Sequence, residues 1–296
     1  METCRLASGH RGAYGLRMIS QDPSLPRAGL SSIDAPEAAA RHLADAVTAA
    51  GAVALAMFRS GKVASWTKNN DSPVTEADIA VDRFLNERLT ALAPDYGWLS
   101  EETADSADRL ARTRVWVVDP IDGTRAFMAG APDWSVSAAL VEAGRPIAAA
   151  LFAPATNELF VAAVGQGARR NGLPLRAGAR TDLDGATVSG PATAVDHLAH
   201  YAAIQRQPRV RSLALRIARV ATAELDVALA TSNAHDWDLA AADLLVHEAH
   251  GILSGLDGRP LTYNATVPRH GALVSTGRAL HSTVLAAARA GAGGTP

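Results

Sequence analysis

Apolar residues recur at helical spacing through APEAAARHLADAVTAAGAVALAMF, residues 35–58. Leu43, Val47, Ala50, Val53, Ala54 and Met57 share one face, which predicts a long amphipathic helix. Turn-forming residues then dominate WTKNNDSPVTEAD, residues 66–78, before a second helical pattern, ADIAVDRFLNERLTAL, with Val81, Phe84, Leu85, Leu89 and Leu92 on one side. After that the period changes. YGWLSEE, residues 96–102, is a short apolar run ending in acid, and VWVVD, residues 115–119, reads as a buried central strand. The stretch from Trp134 to Leu175 reads as successive strands and hairpins: Val136, Ala138 and Leu140 alternate, and Asn171-Gly172 is a tight-turn signal. ATVSG, residues 186–190, predicts another strand, and residues 196–206, 212–222 and 238–250 predict helices between short strands such as LDVALA. The pattern is that of layered helices and sheets with a loose seam near residue 190.

The chain has 296 residues, 48% hydrophobic and 20% charged, enough for one large domain or two intimately packed halves. The expected organisation is a disordered leader over 1–33, an N-terminal α+β subdomain over 34–190, a C-terminal α/β subdomain over 191–290, and a flexible tail over 291–296. A net charge of −2 predicts neither a nucleic acid polymer nor a membrane surface as partner. Cys4 is the only cysteine, so no intrachain disulfide forms and an oxidising compartment gains no support. The leader lacks the apolar core of a signal peptide, with Met18 an alternative start, and no later charge-free stretch reaches membrane-span length. The cytoplasm is the expected location.

Four acidic spots lie at the ends of predicted elements: Asp78, Glu101 with Glu102, the Asp119/Asp122 pair, and Asp238 in HDWDLAAADLL. Strand tips and helix starts are where a sheet scaffold presents functional groups. An all-oxygen ligand set points to Mg²⁺ or Mn²⁺ rather than zinc. Three of the four also have a plainer reading. Asp78 completes a capping box with Thr75, Asp238 is a first-turn acid favoured by the helix macrodipole, and Glu101 and Glu102 are loop charges, with Glu102 expected in solvent. The Asp119/Asp122 pair resists such an account, because like charges held so close repel unless a cation joins them. The spacing fails the calcium-loop pattern, and neither a P-loop nor a GxSxG elbow occurs. Gly123 permits a tight backbone after the pair, and the N–H groups that follow it suit a phosphate.

WVVDPIDGTRAF together with WDLAAADLLVHEAHG resembles the inositol monophosphatase superfamily of Mg²⁺-dependent phosphomonoesterases. SPVTEAD and LSEE precede them in the order and spacing of that family, and the resemblance spans residues 37–285. It implies an α/β fold, a layered αβαβα sandwich of two packed subdomains like that of fructose bisphosphatase. It assigns one metal to Glu101, Asp119 and the backbone carbonyl of Ile121, a second to Asp119, Asp122 and Asp238, and a third, weaker one to Glu101 and Asp78. Asp119 then bridges two cations about 4 Å apart. Thr124, with Glu101, helps activate the attacking water, and the Gly123-Thr124 backbone binds phosphate. Mg²⁺ is the implied cofactor, Mn²⁺ a substitute, a small phosphorylated metabolite the partner, and a homodimer the assembly.

Inositol-preferring relatives carry an acidic residue seven positions before the Asp that matches Asp238; here that position is Thr231. DGTRAF in place of DGTTNF resembles the bisphosphate nucleotidase and histidinol-phosphatase branches, and LDGRPLTYN, residues 256–264, resembles the nucleotidases. Adenosine 3′,5′-bisphosphate is therefore the leading expected substrate. Inositol 1-phosphate and histidinol phosphate are alternatives, with a sugar bisphosphate or an inactive metal-binding regulator behind them. Around the substrate, besides Asp122, Gly123, Thr124 and Asp238, Arg125 either meets a second phosphate or is a solvated helix-face side chain. Lys68 either approaches the metals or is an exposed turn residue, and His235 either touches substrate or caps a helix. His250 replaces a glycine of the family's EAGG ending, expected as a surface change of little consequence.

Overall fold

The helical period at the start of the chain becomes α1 (Pro36–Ser60), which opens with proline in its first turn and closes at Gly61, whose left-handed φ of 62° suits the missing side chain. A computed structural model describes residues 33–68 and 72–290. The expected leader and tail lie outside the described residues, except for Ile33, which packs against the α1 core. Leu43, Val47, Ala50 and Ala54 are buried as the spacing predicts, but Val53 is 37% exposed. By length and composition α1 is apolar enough to cross a membrane, yet its apolar face is spent on core packing.

The turn-rich stretch after α1 contains more order than its composition predicts: β1 (Ser65–Thr67) and β2 (Pro73–Thr75) pair antiparallel. α2 (Glu76–Leu92) follows with a full Thr75/Asp78 capping box. Its buried face is Val81, Leu85 and Leu89; Phe84 is only half-buried and Leu92 is exposed. β3 (Gly97–Ser100), β4 (Arg114–Asp122), β5 (Ser135–Glu142), β6 (Arg145–Ala153), β7 (Glu158–Ala163), β8 (Ala168–Arg170) and β9 (Leu173–Pro174) form a seven-stranded sheet in that order. Between β4 and β5 sits a short helix, α3 (Thr124–Met128). β5 does not alternate between core and solvent. Every residue from Ser135 to Val141 is buried, because helices cover both faces of the sheet. Asn171 and Gly172 both take positive φ, as the predicted tight turn requires.

The rest of the chain supplies β10 (Thr187–Ser189), α4 (Ala192–Ala199), β11 (Gln205–Arg206), α5 (Leu213–Ala221), β12 (Val227–Ala230), β13 (Ala234–His235), α6 (Asp236–Glu248), β14 (Gly251–Gly255), β15 (Arg269–His270), β16 (Leu273–Gly277) and α7 (His281–Arg289). Five of these strands form a second sheet in the order β11-β10-β12-β16-β14, and β13 pairs with β15. The helix expected over 196–206 starts after Pro191 and ends at Ala199. The chain then runs extended to add Gln205-Arg206 to the sheet edge.

Packing gives five layers: α1 and α2, the seven-stranded sheet, α5 and α6, the five-stranded sheet, and α4 with α7. Three apolar clusters fill the interfaces. The largest, around Val117, Leu151, Ile217 and Leu245, lies between the sheets. Its exclusion of water sets the electrostatics of whatever the sheet presents at its edge.

His250 is on the surface, as expected, but its backbone gives the change a cost. It links α6 to β14 with φ at 64°, a conformation that costs a side chain but not glycine. His250→Gly is expected to stabilise the protein by about 0.5–1 kcal/mol, raising Tm by about 1–4 °C in a thermal melt. An unchanged or lower Tm contradicts the strain.

Candidate active site

In a regular strand, residues three apart face opposite sides of the sheet. Asp119 and Asp122 escape this because β4 bulges between them: Asp119 pairs with Ser137 and Asp122 with Ser135, so three steps on β4 oppose two on β5. The extra residue returns both carboxylates to one side, and the bulge accommodates Pro120, which cannot donate to the ladder. Asp238 joins them from the first turn of α6, and carboxylate oxygens of all three lie within 4.8 Å of one another. These residues and Glu101, from the end of β3, line a cavity of about 500 Å³ together with Gly123, Thr124, Arg125, Ser72, Pro73, Arg209 and Arg211.

Each acid is held differently. Asp119 is 1% exposed, and neither of its oxygens has a hydrogen-bond partner among the described residues. Burial, followed by Glu101, Asp122 and Asp238, pushes its pKa well above the carboxylate range. Asp122 is well partnered. It accepts from Ser212 Oγ at 2.5 Å, Leu213 N at 3.1 Å and Ala214 N at 2.6 Å, so it also seats the start of α5. Burial raises its pKa against those donors. Asp238 accepts the His235 N–H at 2.6 Å, and burial and then Asp122 push its pKa well up. Glu101 is raised chiefly by burial and moderated by Lys68 Nζ at 3.3 Å.

Glu102 is not a solvated loop charge. Its side chain is 3% exposed and takes Lys68 Nζ at 2.6 Å, and burial lifts its pKa to about 7. Lys68 is therefore neither an exposed turn residue nor a free cation: it bridges Glu101 and Glu102, which hold its pKa up although burial opposes them. Asp78 is 1% exposed and accepts from Thr75 N and Oγ1 at 2.8 and 2.6 Å as the cap predicts; it also accepts from Thr124 Oγ1 at 3.1 Å. The same hydroxyl reaches the Ile121 carbonyl at 3.1 Å, so its single proton serves one acceptor at a time. Arg125 is exposed on the cavity wall.

Other expected contacts fall elsewhere. His235 stacks on Trp237, ring centroids 4.5 Å apart, and accepts from Arg269 Nε at 3.0 Å, outside the cavity lining. Thr231 is exposed and likewise outside the lining. The LDGRPLTYN segment serves packing: Leu261 and Tyr263 are buried, Tyr263 Oη donates to Asp243 at 3.0 Å, and Asn264 N donates to Asp236 at 2.6 Å.

Sequence reasoning missed Ser212, Arg209, Arg211 and Arg216. Ser212 carried a signal, since serine before LALRIARVA is a helix N-cap pattern, and its Oγ accepts Leu215 N at 3.0 Å. Arg216 carried none. It is a helix arginine only 2% exposed, and burial followed by Arg209 lowers its pKa to about 10.

An all-oxygen donor set with an unpartnered buried carboxylate at its centre fits a hard divalent cation. The model of the inositol monophosphatase family matches residues 36–291. The chain is 34% identical to an inositol-1-monophosphatase of Rhizobium meliloti over 66% of this chain and 77% of that one. It is 35% identical to the histidinol-phosphatase of Mycobacterium tuberculosis, covering 76% and 88%, and 33% identical to the Nus factor SuhB of Escherichia coli, covering 64% and 74%. The solved structure of a Thermotoga maritima IMPase superposes with a TM-score of 0.73 at 25% identity, over 83% of this chain and 94% of that one. The five-layer fold, the carboxylates gathered at the β4 bulge and these likenesses lead to one statement: the chain belongs to the inositol monophosphatase family and is a phosphoric monoester hydrolase.

Proposed function

We propose that the protein hydrolyses a small phosphomonoester with Mg²⁺ as cofactor, Mn²⁺ substituting, and adenosine 3′,5′-bisphosphate as the leading substrate. The observation that carries the metal reading is Asp119, a buried carboxylate with no hydrogen-bond partner among the described residues, beside two others. Asp119, Asp122, Asp238, Glu101 and the Ile121 carbonyl are the proposed ligands, with Asp78 behind Thr124. A divalent cation bound there supplies a lowered pKa for water and charge neutralisation for the departing alkoxide.

The chain's own groups do the rest. Glu101 accepts the proton of the attacking water, and the Thr124 hydroxyl orients that water. Ala126 N and Phe127 N donate to the Gly123 carbonyl, and the Gly123 and Thr124 N–H groups ahead of them are offered to the equatorial phosphate oxygens. With five residues, α3 has little macrodipole, so local donors carry this contact. Lys68 holds Glu101 in place. The reading extends to a cytoplasmic homodimer.

Arginine on the cavity wall favours a substrate with more than one anionic group. The packing role of residues 256–264 removes one reason for preferring a nucleotide, and the relatives named above keep inositol 1-phosphate and histidinol phosphate as second readings. The test is Mg²⁺-dependent phosphate release from adenosine 3′,5′-bisphosphate, inositol 1-phosphate and histidinol phosphate, compared as kcat/KM. A preference for the nucleotide of about tenfold or more supports the leading reading, the size expected of one extra charged contact. A preference for either alternative replaces it, and no release from any of the three favours a regulatory role.

A further inference from the structure

Arg209 and Arg211 sit two residues apart on the segment leading into α5, and both line the cavity that holds the carboxylates. The segment is fixed from below: Arg211 N donates to the Asp133 carboxylate at 2.7 Å and Ser212 N to the Asp133 carbonyl at 3.2 Å. That carbonyl lies against Gly123, so the two arginines are tied to the loop offered to the scissile phosphate. Neither guanidinium has a carboxylate within ion-pair distance among the described residues. A third guanidinium lies nearby. Arg216 is buried, donates to the Val210 carbonyl at 2.8 Å, has no partner for Nε among the described residues, and is disfavoured by burial and Arg209 and favoured by Asp122.

The carboxylates of the cavity lie on the metal side, and Asp122 offsets Arg216, but the Arg209 and Arg211 guanidinium groups make no ion pair among the described residues, so an anion placed between them relieves their mutual repulsion. The scissile phosphate does not account for them, because the Gly123-Thr124 backbone and the carboxylate cluster already provide for it. A guanidinium pair matches the oxygens of a second phosphate, which it can grip through paired N–H donors. The cavity, at about 500 Å³, lies within the range for metabolite sites.

We propose that Arg209 and Arg211, with Arg125 beside them, form a subsite for a second phosphate of the substrate, so that the enzyme selects bisphosphorylated metabolites over monophosphates. This rests on the phosphatase reading. The subsite comes from residues the family resemblance did not assign, and Arg209 and Arg211 are its specificity-determining groups.

Adenosine 3′,5′-bisphosphate and adenosine 3′-monophosphate differ only in the 5′-phosphate, so their kcat/KM ratio reads the subsite. The double variant Arg209→Ala/Arg211→Ala is expected to reduce the wild-type ratio by about thirtyfold, with Arg209→Lys/Arg211→Lys in between. A wild-type ratio near one, or a ratio the alanine variant leaves unchanged, overturns the proposal. If the wild-type protein hydrolyses neither ester, the nucleotidase reading fails, and the subsite is then read by equilibrium binding of the same two nucleotides. Tighter binding of the bisphosphate by the wild type, lost in the alanine variant, supports the subsite; equal binding by both proteins overturns it.

Discussion

Asp119→Asn is expected to lower Mg²⁺-dependent phosphate release by about a thousandfold or more while the metal-free protein keeps its fold. The carboxylate is 1% exposed, unpartnered, and within reach of Asp122 and Asp238, so it serves the cation rather than the fold. Asparagine keeps its shape and removes the charge that repels its neighbours. In EDTA at pH 8 the variant should therefore melt no lower than wild type, and added Mg²⁺ should raise its Tm much less.

The pH dependence has a definite sign. The folded-state pKa values of Asp119, Asp238, Asp122 and Glu101 are raised by burial, and that of Glu102 is raised from 4.5 to about 7. A carboxyl group whose pKa is raised on folding leaves the native state holding more protons than the unfolded chain. The metal-free protein should therefore be most stable below about pH 4 with respect to these groups, and should lose that stability as pH rises through their folded values. Glu102 places one window between about 4.5 and about 7. Mg²⁺ should reverse the trend, because it binds the charged forms. Thermal melts with EDTA and with Mg²⁺ from pH 5 to 8 check both signs. An Asn variant with wild-type turnover, or with a wild-type Mg²⁺ shift in Tm, would rule out Asp119 as a ligand.

The elements legible in the sequence were those whose period survives burial. α1, α2 and β4 follow their apolar spacing, and Asn171-Gly172 follows turn chemistry. The spacing of Asp119 and Asp122 marked the site, but not the bulge that brings them to one side, because a bulge depends on the partner strand. The doubly covered β5 and the buried Glu102 were unreadable for a related reason. What covers a residue from a distant part of the chain leaves no local period. Arg209 and Arg211 look like ordinary surface residues until α5 is seated against Asp122 and carries them to the cavity. The LDGRPLTYN segment, which resembles the nucleotidases in sequence, serves packing around Tyr263.

Gly123→Ala is the second large effect expected. Gly123 has φ at 97°, where a side chain is strained, and a Cβ there would lie 3.0 Å from the Asp133 carbonyl oxygen and 3.1 Å from Ser212 N. Both neighbours are backbone, so neither moves cheaply: Ser212 starts α5 and its hydroxyl donates to Asp122. The substitution should cost about 2–4 kcal/mol and lower Tm by about 4–16 °C. It should also lower kcat/KM by about a hundredfold, because any relief of the clash displaces the Asp122–Thr124 loop from the carboxylates it must align with. Gly130, at the other end of α3, is the control. Its φ is 67° and a Cβ would meet nothing within 4 Å, so Gly130→Ala carries the backbone strain without the collision, about 1 kcal/mol, and should leave turnover near wild type. Were the two variants to melt together and turn over alike, the close approach at Gly123 would have no functional weight. A wide gap in both readouts would locate the phosphate loop's rigidity in the contact between Gly123, Asp133 and Ser212.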